Sequence, residues 1–132
     1  KKQHSVAEAA ALAADVDQLS LLHYDTSIAD RDAFAESLAE QLRHVAAWKA
    51  RPASADTQFL LGVGTFVNAR PLRKYRHLDV EGLPHYLSAL ETAIARTQQT
   101  TRLVDGLAIF CDWTTTPRDW RRFRQLWTTG AR

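Results

Sequence analysis

Three apolar runs punctuate the chain, and each is followed by a stretch whose apolar residues recur at helical spacing. The runs are Val16–Asp25, Gln58–Val67 and Val104–Trp113. Each is short, bounded by polar or turn-forming residues, and apolar on both alternating faces for most of its length. Strands of a parallel sheet covered on both sides have this pattern. The helical stretches carry their own start signals. Ser5 to Ala14 is alanine-rich, and Glu8 follows Ser5 at the spacing of a capping box. From Asp30 to about Lys49, the residues Phe34, Leu38, Leu42, Val45 and Trp48 make an apolar stripe. Asp30 stands where an N-cap is needed, and Pro52 lies just beyond the end. Leu83 to Thr97 repeats the stripe with Leu83, Leu87, Leu90 and Ile94. Thr116-Pro117-Arg118-Asp119 opens a last helix with a capping threonine, a proline at the first helical position and an acid in the first turn. That helix is expected to bury Trp120, Phe123 and Trp127.

The order α-βα-βα-βα predicts an α/β fold, a parallel βαβαβα sheet with right-handed crossovers. Residues 1–132 read as a single partial domain, three βα units preceded by a helix, with no internal boundary. The strand faces narrow the choice of fold. Gly62 and Gly64 share one face of the second run, opposite Phe59, Leu61 and Val63. Gly106 and Ala108 share one face of the third, opposite Leu107, Ile109 and Cys111. One side of the sheet is therefore bulky and suited to helices, and the other small and suited to a tight interior. A closed barrel divides its faces in this way. A doubly wound open sheet wants bulk on both. The expected architecture is the C-terminal part of a TIM (β/α)8 barrel. Three units cannot close such a barrel, which needs about 250 residues. The remaining part of the barrel, or a second copy of the chain, is the expected partner over the open face.

Composition agrees with a folded domain: 132 residues, 45% hydrophobic and 24% charged. No methionine occurs, even at position 1, which reads as a processed or excised piece of a longer chain. A net charge of +2 gives no argument for a nucleic-acid partner. No apolar run approaches the roughly 18 residues of a membrane span. The single cysteine, Cys111, excludes an internal disulfide and a cysteine-rich zinc site. Arginine-rich and alanine-rich usage is what a GC-rich bacterial genome produces.

Barrel chemistry gathers at the carboxyl ends of strands, and here those ends are polar and aromatic. They read His23-Tyr24-Asp25-Thr26, Asn68-Ala69-Arg70 and Asp112-Trp113-Thr114-Thr115. Carboxylates and amides bond sugar hydroxyls, and an aromatic ring stacks on the apolar face of a pyranose. Tyr24, Asp25, Asn68, Arg70, Asp112 and Trp113 are thus the candidate substrate-binding residues. His23, one residue deeper, and Cys111, on the bulky face, read as core. No metal site and no cofactor are expected; His77 and His85 are eight positions apart across a loop.

These runs resemble the last three strands of glycoside hydrolase family 18, the chitinase-like barrels. Val16–Asp25 resembles the sixth strand, with its alternating apolar run closing on Tyr24-Asp25. Phe59–Phe66 looks like the seventh, and Gly106–Trp113 is similar to the eighth, which brings an aromatic residue to the floor of the sugar site. The resemblance implies that Tyr24 and Asp25 hold and polarise an N-acetyl group, and that Trp113 stacks. It also implies a secreted or periplasmic location. The family's catalytic acid follows the fourth strand, and nothing here matches it. The general acid is therefore expected outside this chain, with this piece alone inactive. Trp113 follows Asp112, whereas the family more often has the aromatic first.

Two other functions stand beside that reading. One is a lectin-like, non-catalytic barrel. The other is a barrel enzyme for a phosphorylated or carboxylated small molecule, using Arg70, Arg73 and Lys74 of the basic run Arg70–His77. That run otherwise reads as a solvated loop. Gly62-Val63-Gly64 lies inside an apolar strand and does not open a helix, which argues against a phosphate cradle.

Overall fold

The computed structural model describes residues 5–66, 75–98 and 103–130, with side chains described as far as 125. The chain begins with helix α1 (Val6–Asp15), started by the reciprocal bonds that Ser5 and Glu8 predicted. Strand β1 (Gln18–Leu22) leads to α2 (Arg31–Lys49), where the Asp30 carboxylate accepts from the Ala33 N–H at 2.8 Å. Strand β2 (Gln58–Gly64) is followed by a short helix α3 (Leu78–Glu81) and then α4 (Leu83–Thr97). Strand β3 (Gly106–Phe110) and α5 (Pro117–Gly130) complete the order. Thr116 and Asp119 cap α5 reciprocally, the Asp119 N–H donating to the threonine hydroxyl at 3.2 Å.

The three strands form one parallel sheet in the order β1-β2-β3. Leu21 pairs with Leu61, and Leu61 with Leu107, so the bulky positions of neighbouring strands share a face. That face is covered. Phe59, Leu61 and Val63 are fully buried against Phe34, Leu38, Leu42 and Val45 of α2 and Tyr86, Leu87 and Leu90 of α4. Ala10 and Ala13 of α1 join the same core, and Phe123 of α5 packs against it. The opposite face bears Gly62, Gly106 and Ala108, as the alternation requires, with Leu22 63% and Phe110 45% exposed. The expected division into a bulky, helix-covered side and a small-residue side is therefore present. The fold is a mixed α/β arrangement on a three-stranded parallel sheet.

The amino end of the sheet is tied by polar side chains. Asp105 pairs with Lys49 at 2.8 Å and accepts from the Phe59 N–H at 2.8 Å. The Thr57 hydroxyl donates to the Ala13 carbonyl at 2.6 Å, joining α1 to the foot of β2. His23 is buried on the helix face, its ring 5.0 Å from Phe34 and 6.3 Å from Tyr86. Burial pushes its pKa down to about 4, with Gln41 opposing weakly.

Some expectations are corrected. Ile94 is exposed, because the buried stripe of α4 runs through Tyr86 and Ala93 and turns Ile94 outward. Trp120 remains partly exposed, edge-on to Phe123 at 6.1 Å, and the side chain of Trp127 lies outside the described residues. The strands are shorter than their apolar runs, since the chain turns off the sheet before Tyr24, Phe66 and Trp113.

Candidate functional site

The carboxyl ends of the strands bring four rings together. Tyr24 follows β1, Phe66 follows β2, Phe110 ends β3, and Trp113 lies in the turn beyond. Tyr24 stacks on Phe110, with ring centroids 5.7 Å apart and planes 6° from parallel. Phe66 meets both edge-on, at 5.7 Å from Tyr24 and 5.8 Å from Phe110. Trp113 extends the row from Phe110 at 6.0 Å and is 78% exposed. Edge-to-face and offset pairs at these distances are the favourable geometries of aromatic rings. The result is a shelf whose inner rings support one another and whose outer indole faces solvent.

The turn that carries Trp113 is fixed by hydroxyls. The peptide between Phe110 and Cys111 is cis. The Cys111 carbonyl oxygen lies 2.9 Å from each of the Thr65, Thr114 and Thr115 hydroxyl oxygens. β2 thereby grips the turn after β3. Asp112 is exposed beside Trp113, and Cys111 is buried beneath.

Below the shelf lies a sealed group of charges. Glu81, at the end of α3, is 0% exposed, and the Asp25 side chain 1%. Glu81 accepts from the Asp25 N–H at 2.7 Å, the Thr26 N–H at 2.9 Å and the Thr26 hydroxyl at 2.6 Å. Arg76 lies 3.4 Å from Glu81 and 3.9 Å from Asp25, and donates to the Gly64 carbonyl. Its guanidinium also covers the Phe66 ring at 4.4 Å from the centroid. Burial draws the Arg76 pKa below its ordinary value, with Glu81 and Asp25 acting against that. Burial, then the Asp25 charge, raises the Tyr24 phenol, so the hydroxyl stays protonated and can donate.

Of the residues singled out in the sequence, Tyr24, Asp25, Asp112 and Trp113 come to the same end of the sheet. Tyr24 and Trp113 join the ring row, Asp112 is at the surface, and Asp25 lies underneath. Asn68 and Arg70, with Arg73 and Lys74, lie outside the described residues. Sequence reasoning missed Phe66, Phe110, Arg76 and Glu81. Arg76 had been grouped with a solvated basic loop, but it is buried. No sequence signal marks Arg76 or Glu81, whose burial follows from contacts with segments that precede them in the chain.

Among the described residues no group of three His, Cys, Asp or Glu side chains could hold a metal. None of their helices is long and apolar enough to cross a membrane. No protein-family model matches the chain, and no match is found among curated proteins or solved structures.

Proposed function

We propose that this chain supplies the C-terminal βα units of a carbohydrate-active (β/α)8 barrel, a glycoside hydrolase resembling family 18. One observation carries the reading: the row Tyr24–Phe110–Trp113, backed by Phe66, at the carboxyl ends of three parallel strands, ending in an indole that is 78% exposed. Such a surface offers flat apolar rings to the C–H face of a pyranose, with Asp112 beside it to accept from sugar hydroxyls. Tyr24, its proton retained, donates toward the ligand, and Asp25 steadies it from below. Asn68 and Arg70 follow β2 in sequence and in this reading flank the same rim. The exposed Leu22 and the small residues of the same sheet face are in this reading the barrel interior, covered by the remaining strands. The acid that protonates the leaving group comes from those strands, so cleavage needs the whole barrel.

The lectin-like alternative uses the same shelf without the acid. The phosphorylated-ligand alternative rests on Arg70, Arg73 and Lys74, which lie outside the described residues; Arg76, from the same basic run, is held by Asp25, Glu81 and Gly64 and adds nothing to it.

The test is a titration with cellotetraose, maltotetraose and N-acetylchitotetraose, followed by tryptophan fluorescence and calorimetry. At least one is expected to bind, and Trp113→Ala to weaken that binding by at least ~10-fold, the size of a central aromatic contact. The melting temperature should hardly move. Absence of binding, or equal binding by Trp113→Ala, refutes the shelf as a sugar site. Release of reducing ends by the 132 residues alone would place the acid within them. Release only when the parent's upstream strands are appended separates the hydrolase from the lectin.

A further inference from the structure

We infer that Arg76 and Glu81 are positioning residues of the shelf: they set the angle at which Tyr24 and Phe66 are presented, without touching a ligand. The purpose of the arrangement rests on the sugar-site reading; its geometry does not.

Tyr24 stands at the start of a turn that the backbone resists. Asp25 and Ser27 both have left-handed backbone angles, with φ of 55° and 63°, a region costly for side-chain-bearing residues. What holds the turn is Glu81, which takes the N–H groups of Asp25 and Thr26 and the Thr26 hydroxyl. The acid comes from a helix more than fifty residues away along the chain. The Ser27 N–H is held separately, by the Tyr75 carbonyl at 2.9 Å, so loss of the Glu81 oxygens frees the first half of the turn, the half next to Tyr24 and its stack on Phe110.

Arg76 does for Phe66 what Glu81 does for Tyr24. One nitrogen of its fork donates to the Gly64 carbonyl at the end of β2, and the other faces Glu81 and Asp25. The flat guanidinium lies against the Phe66 ring. Gly64 is the residue that permits this approach, for a Cβ there would come within 2.7 Å of an Arg76 nitrogen and 2.9 Å of Phe66. Lysine has the charge but neither the fork nor the plane.

The group is not an ordinary part of the core. It lies at the carboxyl rim. Arg76 and Glu81 pair with each other; Glu81 also bonds the segment that follows Tyr24, and Arg76 bonds Gly64, two residues before Phe66. Buried charges stabilise poorly compared with apolar packing, and their best attested use is to fix register. With 1% and 0% of the two acid side chains exposed, neither can meet a sugar directly.

The experiment compares the intact chain with Arg76→Lys, Glu81→Gln and, as a control at an exposed ion pair, Arg43→Ala. Near-UV circular dichroism reads the aromatic geometry without any sugar, and far-UV dichroism and thermal melting read the fold. Arg76→Lys and Glu81→Gln should change the near-UV bands while the far-UV spectrum stays that of the intact chain. Arg43→Ala should change neither. Affinity for whichever tetrasaccharide binds should fall by about 10-fold in Arg76→Lys, far out of proportion to any change in melting. Near-UV spectra and affinities like those of the intact chain overturn the inference. If no tetrasaccharide binds the intact chain, the sugar reading fails, and the near-UV spectra alone decide the positioning role. If either variant fails to fold, amide exchange in the intact chain decides. Asp25 and Thr26 amides held by Glu81 exchange as slowly as those of β2, and exchange at the rate of an open loop overturns the inference.

Discussion

Acid should weaken the helix-covered side of the sheet through one side chain. His23 sits between Phe34 and Tyr86, where a charged imidazole has little to solvate it. Its ordinary pKa is 6.5, and burial pushes it down to about 4 in the folded chain. The unfolded chain therefore takes up the proton first as the pH falls. Above 6.5 both states hold neutral His23, and its protonation costs nothing. Between 6.5 and 4 the folded state loses ground, and below 4 the full penalty applies. Each tenfold difference in proton affinity is worth about 1.4 kcal/mol, so the full loss is about 3 kcal/mol. Roughly 2 kcal/mol of it is expected by about pH 5. That is a large share of the 5–15 kcal/mol by which domains are commonly stable. The assay is urea unfolding at about pH 7.5 and about pH 5, for the intact chain and for His23→Leu. Carboxylates titrate alike in both, so the difference between the two chains isolates His23. It should shift by about 2 kcal/mol in favour of leucine as the pH falls. A difference that does not change with pH refutes the reasoning, as would an imidazole titrating near 6.5 by NMR in the folded chain.

Glycine substitutions should separate the two ends of the open face. Gly64→Ala drives a methyl group into Arg76 and Phe66 and should cost about 1–3 kcal/mol in a denaturant melt. Gly106→Ala meets only the tip of the Leu60 side chain and should cost under about 1 kcal/mol. Asp105→Ala strips the Phe59 N–H of its acceptor and Lys49 of its partner, and should lower stability by about 1–3 kcal/mol by the same assay.

The fold was legible where its causes are local. The Ser5–Glu8 and Thr116–Asp119 caps need only a spacing of three, and the Phe34–Trp48 stripe only a helical period. The alternation of Gly62 and Gly106 with bulky neighbours announced which face would be covered. The candidate site was half legible for the same reason: Tyr24 and Trp113 are conspicuous strand-end residues. Glu81 and Arg76 were not, because an acid and a base become buried only when segments far apart meet. In sequence they look like surface charges. Phe66 and Phe110 looked like strand core, and only the ends of β2 and β3 show that they belong to the rim.

The pairing of the sheet also constrains how the chain acquires its shape. Gln18 meets Gln58 across 40 positions, and Phe59 meets Asp105 across 46. The two closures differ in entropic cost by only about 0.1 kcal/mol, so loop length favours neither. On a ribosome the order is settled by emergence: β1 can dock on β2 while β3 is still unmade, leaving one edge of β2 bare for the time the next 46 residues take to appear. After dilution from denaturant no such priority exists. Pulsed amide exchange should then show the two edges of β2 gaining protection together, and sequential protection would exclude this. A strand that serves both neighbours makes the molecule's assembly depend on whether it is being synthesised or refolded.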